Sequence, residues 1–165
     1  MKINYQEIQE LLKMTFKSEK MYYEAAEILQ IVELKRFLNH QSVERNKYAN
    51  ELTESLVFNN IEPDMLFVKK GIQKLNRLDL KIVLENSKYI HVVRKCMSYD
   101  EDIIDKCALI ARDKVIPVDI LEVTTRLMTF LIFQGIDGSQ IIEELKEKDN
   151  QKKKTKVIQF KNNLL

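Results

Sequence analysis

Glu19, His40 and Glu44 are the side chains whose types and spacing come nearest to a metal site in this chain. Glu19 lies midway along an apolar seam whose members, in alternating steps of four and three, are Ile8, Leu12, Thr15, Glu19, Tyr22, Ala26 and Leu29. Side chains at such steps stack on one helix face, so the seam predicts a carboxylate that points into a helical core. It must then be paired, protonated, hydrated or bound to a cation, because burial of a bare charge is costly.

An antiparallel pair of helices joined near Ile31 would bring these three residues together. Glu19 lies twelve residues before that turn and Glu44 lies thirteen after it. His40 is one helical turn from Glu44 and shares its face. Carboxylate oxygens with an imidazole nitrogen suit iron, manganese or zinc. The sequence therefore predicts a metal site at Glu19, His40 and Glu44, with those three metals as candidate ions.

A buried polar layer is the alternative interpretation of the same residues. Dinuclear carboxylate sites in helical bundles use Glu-x-x-His on two helices, and here Phe37 stands three residues before His40. In the alternative, Glu19 pairs with Arg45 or Tyr48, with Gln41 and water nearby. Such a layer sets the register of the helices and costs stability unless every member is satisfied.

No catalytic residue or organic cofactor site is predicted from the remaining motifs. Three scattered glycines make no phosphate-binding loop, and no Ser/His/Asp or Cys/His arrangement is present. The two cysteines, Cys96 and Cys107, form no CxxC pair and are expected to be buried small hydrophobes in a reducing compartment.

Composition favours one helical domain in the cytoplasm. The chain has 165 residues, of which 45% are hydrophobic, and only three glycines and two prolines. Turn-dependent β architectures need more of both. A formal net charge of +2 argues against a general nucleic-acid binder. We expect no membrane span, because the longest strongly apolar stretch is far below the ~20 residues that one requires.

Apolar periodicity and turn residues predict the helices. The expected helical ranges are 5–29, 33–57, 64–97 with a candidate break at 86–87, 102–115 after a cap at 98–101, 117–134, and 139–146. Gly135 and Gly138 are expected to end the long helix that Pro117 opens. The resulting division is a helical bundle domain over residues 1–146 and a basic, disordered tail over residues 147–165.

Two surfaces suggest partners. The last long helix carries an apolar stripe broad enough to need covering on more than one side, which predicts self-association. The stretch 146–165 holds seven lysines against two acids, together with apolar residues near its end. It is expected to be a solubilising tail, or else a docking segment that orders on a protein partner.

Several sequence segments resemble a known family. They are SEKMYYEAAE from Ser18, ELKRF from Glu33, VERNKYANEL from Val43, DEDIIDKC from Asp100 and VIPV from Val115. Together they resemble ferritin-like four-helix bundles of bacterial proteins described as a domain of unknown function. The resemblance implies inward acids at Glu19 and Glu44 and a stress-related or envelope-associated role. The family's later glutamate corresponds to Ala111 here, which removes a metal ligand.

A second likeness involves Leu75, Leu78, Leu84 and the segment VRKC from Val93. Their spacing is similar to that of the helical N-terminal domains of transcription elongation factors, which are protein-docking modules. It consists of hydrophobic spacing that many helical bundles share, and therefore ranks second.

The sequence thus predicts an all-α, ferritin-like up-down bundle with an extra short helix and a C-terminal tail. Its predicted role is non-catalytic binding or assembly with a degenerate ferritin-like metal site. The alternatives are an iron- or manganese-dependent ferritin-like oxidoreductase or stress protein, and a docking module of the elongation-factor type.

Overall fold

A computed structural model describes residues 5–73 and 89–162, with side chains up to residue 159. The helices in these ranges are α1 (Tyr5–Ile28), α2 (Val32–Phe58), α3 (Met65–Gln73), α4 (Tyr89–Ala111) and α5 (Val118–Asn162). All regular secondary structure in these two ranges is helical, which confirms the predicted all-α class. None of the described helices is both long and apolar enough to cross a membrane.

The hairpin of α1 and α2 lies within one residue of its predicted bounds. Ile31, in an extended conformation, is the N-cap of α2, and Asn59 is its C-cap. Residues 59–64, whose Asn, Asp and Pro side chains are typical of turns and caps, form the loop between the second and third helices. Asn60 adopts a left-handed φ of 57°, which Asn tolerates better than most residues. Asp64 then caps α3, since its Oδ1 accepts a hydrogen bond of 2.9 Å from the Phe67 backbone N–H.

Four helices close a ring within the described residues. Helix α1 packs against α2 and α4, and α5 packs against the same two helices, while α3 packs on α1. Two hydrophobic cores fill the ring. The first core includes Leu12, Leu56, Val68, Ile103 and Leu127. The second core includes Ala25, Leu38, Val92 and Ile142. Helices α1 and α5 run from the first core to the second, and α2 and α4 run in reverse, so neighbours in the ring are antiparallel.

Helix α4 differs from its predicted form. It runs unbroken through residues 98–101, where the sequence predicted a cap. Within this stretch Asp100 is buried and bonded to residues of other ring helices. The helix ends at Ala111, four residues earlier than predicted, and Pro117 then precedes α5 with its carbonyl accepting the first helical bond from Leu121. The candidate break at 86–87 lies outside the described residues, as do Leu75, Leu78 and Leu84.

Helix α5 also differs, because it is continuous where two glycines were expected to end it. A glycine in a helix interior costs about 1 kcal/mol relative to alanine, which packing can outweigh. At Gly138 the packing requires a residue without a side chain. A Cβ at this position would lie 3.1 Å from Met97 Sδ and 3.3 Å from Phe37 Cζ. The prediction that the helix ends at these glycines was wrong, because Gly138 allows close packing between helices and does not terminate α5.

The same helix extends through residues 147–162, for which the sequence predicted a disordered tail. At 1.5 Å per residue its 45 residues span about 67 Å, whereas the 24 residues of α1 span about 36 Å. Among the described residues, the last hydrogen bond to another helix joins the Tyr89 hydroxyl to Asp149 at 2.8 Å, and the last ion pair joins Lys148 to Glu33 at 3.9 Å. We call residues 150–162, which lie beyond these contacts, the projecting end.

Substitutions at the two glycines test the continuity of α5. A Cβ at Gly135 would meet no atom within 4 Å. We therefore expect Gly135→Ala to raise the free energy of unfolding by about 0.5–1 kcal/mol through helix propensity alone. Gly138→Ala should gain less or lose stability, because its Cβ crowds Met97 and Phe37. Urea titration followed by circular dichroism measures both, and equal effects at the two positions would contradict the close packing at Gly138.

Candidate functional site

A polar layer separates the two hydrophobic cores at mid-height of the ring. All four ring helices contribute to it. Its members are Ser18 and Tyr22 of α1, Gln41 and Arg45 of α2, Asp100 of α4, and Phe130 and Gln134 of α5. Arg45 is fully buried, with 0% of its surface exposed, and Asp100 is 6% exposed. A charged pair in such a place needs a complete set of partners.

The Arg45 guanidinium uses all three of its nitrogens as donors. Its Nη2 lies 2.5 Å from Asp100 Oδ2, which forms the ion pair. Its Nη1 donates to the backbone carbonyl of Gln41 at 2.9 Å and to that residue's Oε1 at 2.8 Å. Its Nε donates to Ser18 Oγ at 2.9 Å and to Asp100 Oδ1 at 3.3 Å. The cation therefore links three helices through hydrogen bonds.

Asp100 accepts hydrogen bonds from hydroxyl groups as well as from the guanidinium. The Ser18 hydroxyl donates to its Oδ1 at 2.9 Å, and the Tyr22 hydroxyl donates to its Oδ2 at 2.5 Å. Both carboxylate oxygens thus have a hydroxyl donor and a guanidinium donor. Charge-assisted bonds of this kind are the stronger class of protein hydrogen bond.

Aromatic rings cover the faces of the guanidinium. Arg45 Cζ lies 3.8 Å from the centroid of the Tyr22 ring and 5.5 Å from that of Phe130. Flat, weakly hydrated guanidinium groups stack well on such rings, and the contact strengthens when water is excluded. Gln41 extends the layer to α5, because its Nε2 donates to Gln134 Oε1 at 2.5 Å. The fourth ring helix is thereby tied to the other three.

The layer is satisfied internally. Among the described residues, Thr124 Oγ1 is the one buried side-chain oxygen or nitrogen without a hydrogen-bond partner, and it lies outside this layer. Burial raises the pKa of the Tyr22 hydroxyl well above its usual range, and the nearby Asp100 charge acts in the same direction while Arg45 opposes it. Tyr22 therefore remains a proton donor to Asp100 at physiological pH. The arrangement is suited to holding helices in register, since its polar groups engage one another.

The three predicted metal ligands do not form a group in the structure. Glu19 is half-buried and hydrogen-bonded to Asn46, and burial raises the pKa of its carboxyl. His40 is exposed, and Glu44 pairs with Lys47 at 2.5 Å. Across residues 5–73 and 89–159, no three His, Cys, Asp or Glu side chains are placed to hold a metal ion. The metal site thus stays a sequence-based prediction.

A buried polar layer is present, as the alternative interpretation predicted, but its acid is different. Arg45 pairs with Asp100 of α4, and Glu19 lies one position from the buried Ser18. On α1, Leu11, Ser18 and Ala25 are buried in addition to members of the predicted seam. The centre of the buried face of α1 is therefore displaced from Glu19 toward Ser18. A signal for Asp100 exists in the sequence: Val93, Cys96, Asp100, Ile103 and Cys107 follow the same alternating steps.

The cysteines are buried, as predicted. Cys96 lies in the second core and Cys107 in the first, and burial raises the pKa of each thiol to about 12. Thiols with such a pKa are protonated at neutral pH and unreactive. They serve as core side chains.

A cleft of about 580 Å³ lies between α1 and α3 and is lined partly by lysines. Lys13 pairs with Glu10 at 2.5 Å and also lies 4.4 Å from the centroid of the Phe67 ring. Lys17 lies 5.1 Å from the centroid of the Tyr99 ring. Of the three lysines among the described lining residues, Lys13 and Lys17 are therefore engaged in contacts that hold α3 and α4 against α1.

Comparison with known proteins gives no match to a protein-family model, to a curated protein or to a solved structure. The resemblance to ferritin-like bundles therefore stays a prediction from sequence segments, and the function must be argued from the geometry of this chain.

A double-mutant cycle tests the ion pair. Asp100→Leu leaves a buried, unpaired guanidinium, so we expect it to lower the free energy of unfolding by about 3–5 kcal/mol. Arg45→Met combined with Asp100→Leu should lose far less than the sum of the two single changes, because no charge then lacks a partner. Asp102→Leu, at an exposed position of the same helix, is the matched control. Additive single effects would contradict the pairing.

Glu19 provides a test by pH. Its raised pKa means that the folded state disfavours the charged carboxylate, so the stability this residue contributes falls as pH rises through the folded pKa. Glu19→Gln should therefore be more stable than the natural chain at pH 7, and the difference should vanish below about pH 4, where the carboxyl is protonated in both states. The exposed Glu27→Gln on the same helix controls for loss of charge alone. A less stable Glu19→Gln variant at pH 7 would contradict the burial.

Proposed function

We propose that this protein is a non-catalytic helical-bundle protein that acts in assembly, and that α5 is its contact element. The observation that carries the proposal is the surface of α5. Ile132, Phe133 and Ile136 are exposed on its middle, and Val157 and Ile158 are exposed on the projecting end. Exposed apolar side chains at two places along one long helix are typical of a surface that another chain covers.

The centre of the ring supports a non-catalytic role. In ferritin-like bundles, inward carboxylates from several helices hold metal ions. We propose that this ring is a divergent bundle of that type in which the Arg45 guanidinium supplies the central positive charge. Its carboxylate partner is Asp100, which also accepts hydrogen bonds from the hydroxyl groups of Ser18 and Tyr22. The Arg45 guanidinium neutralises the charge of the buried Asp100 carboxylate, as a metal ion could, but it has no redox chemistry.

Sedimentation velocity over a range of concentrations tests the assembly role. We expect the full chain to form a defined oligomer. We expect a chain that ends after Asp149 to be monomeric and to keep the helical circular dichroism signal of the ring. Truncation at this point keeps the contacts of Lys148 and Asp149 with the ring. A full chain that remains monomeric up to high micromolar concentration would overturn the proposal.

Elemental analysis of the purified protein separates this role from a metal-dependent oxidoreductase. The proposed role predicts less than stoichiometric iron, manganese and zinc, and the same content in a Glu19→Ala variant. Stoichiometric metal that is lost in Glu19→Ala would instead favour the metal site predicted at Glu19, His40 and Glu44.

A further inference from the structure

The exposed side of α5 bears a continuous stripe that runs from the ring onto the projecting end. Its members, in steps of four and three, are Ile132, Ile136, Ser139, Glu143, Glu147, Asn150, Lys154 and Val157. All eight are exposed, and the steps place them along one face of the helix. The stripe begins apolar, becomes acidic, then basic, and ends apolar.

The charges of α5 are divided along its length in the same way. Residues 137–147 contain four acids and one lysine, and residues 148–162 contain six lysines and one acid. Within the described residues, the lysines at 152, 153, 154 and 156 form no ion pair, and Glu147 forms none. Glu143 is bridged to Lys146, but its side chain is 63% exposed. The acidic half of α5 in one molecule is thus available to attract the basic half of α5 in another.

We propose that the partner of this stripe is a second copy of the same chain, with the two α5 helices side by side and antiparallel. This inference rests on the proposed assembly role and specifies its partner. In an antiparallel pair, the acidic half of each helix lies against the basic half of the other. The apolar start of each stripe, at Ile132 and Ile136, then lies against the apolar end near Val157 and Ile158 of the second copy.

Charge selects this orientation over the alternative. A parallel pair would place acids against acids and lysines against lysines, which is unfavourable for charges on facing helices. The surface of the projecting end allows the antiparallel pair, because residues 150–159 are exposed and, among the described residues, no hydrogen bond or ion pair joins α5 to another helix beyond Asp149. The arrangement has two-fold symmetry and closes as a dimer.

Charge-reversal variants test the pairing. Variant A carries Glu143→Lys and variant B carries Lys154→Glu, because these two members of the stripe approach each other when position 136 faces position 158. Each creates like-charge contacts twice per dimer, so each should raise the dimer dissociation constant by about threefold to tenfold at low salt. A chain with both changes restores opposite charges in the antiparallel pair and should dimerise again. Glu27→Lys, at an exposed position away from α5, matches the charge change of variant A.

Cysteine cross-linking tests the orientation independently. A chain with Ile136→Cys and Ile158→Cys should form an intermolecular disulfide between position 136 of one copy and position 158 of the other under mild oxidation. The natural Cys96 and Cys107 are buried and do not compete. The single variants Ile136→Cys and Ile158→Cys should form little disulfide dimer, because like positions lie about 33 Å apart along the antiparallel pair.

The outcomes separate this inference from the assembly role. A weaker dimer in variants A and B, with recovery in the chain that carries both changes and a 136–158 cross-link, supports it. An oligomer that is insensitive to charge reversal, or that cross-links position 136 to 136, overturns the antiparallel pairing and leaves assembly standing. A natural chain that is monomeric in low salt overturns both.

Discussion

The fold depends on the requirement that one buried guanidinium be satisfied. Arg45 lies at the centre of the ring, and its partners come from every ring helix: Ser18 and Tyr22 from α1, Gln41 from α2, Asp100 from α4, and Phe130 from α5. Hydrophobic cores tolerate small shifts of one helix past another, whereas hydrogen bonds of this number do not. A shift of α4 by one turn would remove the carboxylate from the cation. We infer that the polar layer fixes the axial register of the ring while the two cores above and below it supply most of the stability.

Local signals were sufficient to predict the hairpin of α1 and α2. The apolar spacing of residues 5–29, the Asn-rich segment at residues 59–64 and Pro117 all act over a few residues, and the observed helix bounds agree with each of them. The all-α class also followed from composition, because so few glycines and prolines leave little scope for tight turns. In chain order, however, the ring helices α1, α2, α4 and α5 run up, down, down and up, although neighbours around the ring are antiparallel. The ferritin-like relationship stays a prediction.

Long-range choices were not accessible in the same way. Ser98–Glu101 has the composition of a helix cap, but Asp100 is more valuable to the fold as the partner of Arg45, 55 residues away in sequence. Gly138 has the appearance of a helix stop, but it allows Phe37 and Met97 to approach α5. For the candidate site, the sequence identified the correct kind of feature and named Arg45 and Gln41, but it selected Glu19 as the acid. A single helix pattern does not reveal which of two adjacent positions, 18 or 19, faces the centre when the inner face is wide.

The projecting end of α5 has a thermodynamic consequence. Beyond Asp149 the described part of the chain forms no hydrogen bond or ion pair with another helix, so these turns rely on intrinsic propensity. A helical segment of about 13 residues is marginal in water by itself, and nucleation from the ordered ring only partly compensates. Its backbone amides should therefore exchange with solvent far faster than those of the ring, and trypsin should cleave after its lysines before it cleaves after those of the ring. Order in this segment is thus a direct readout of whether something covers it.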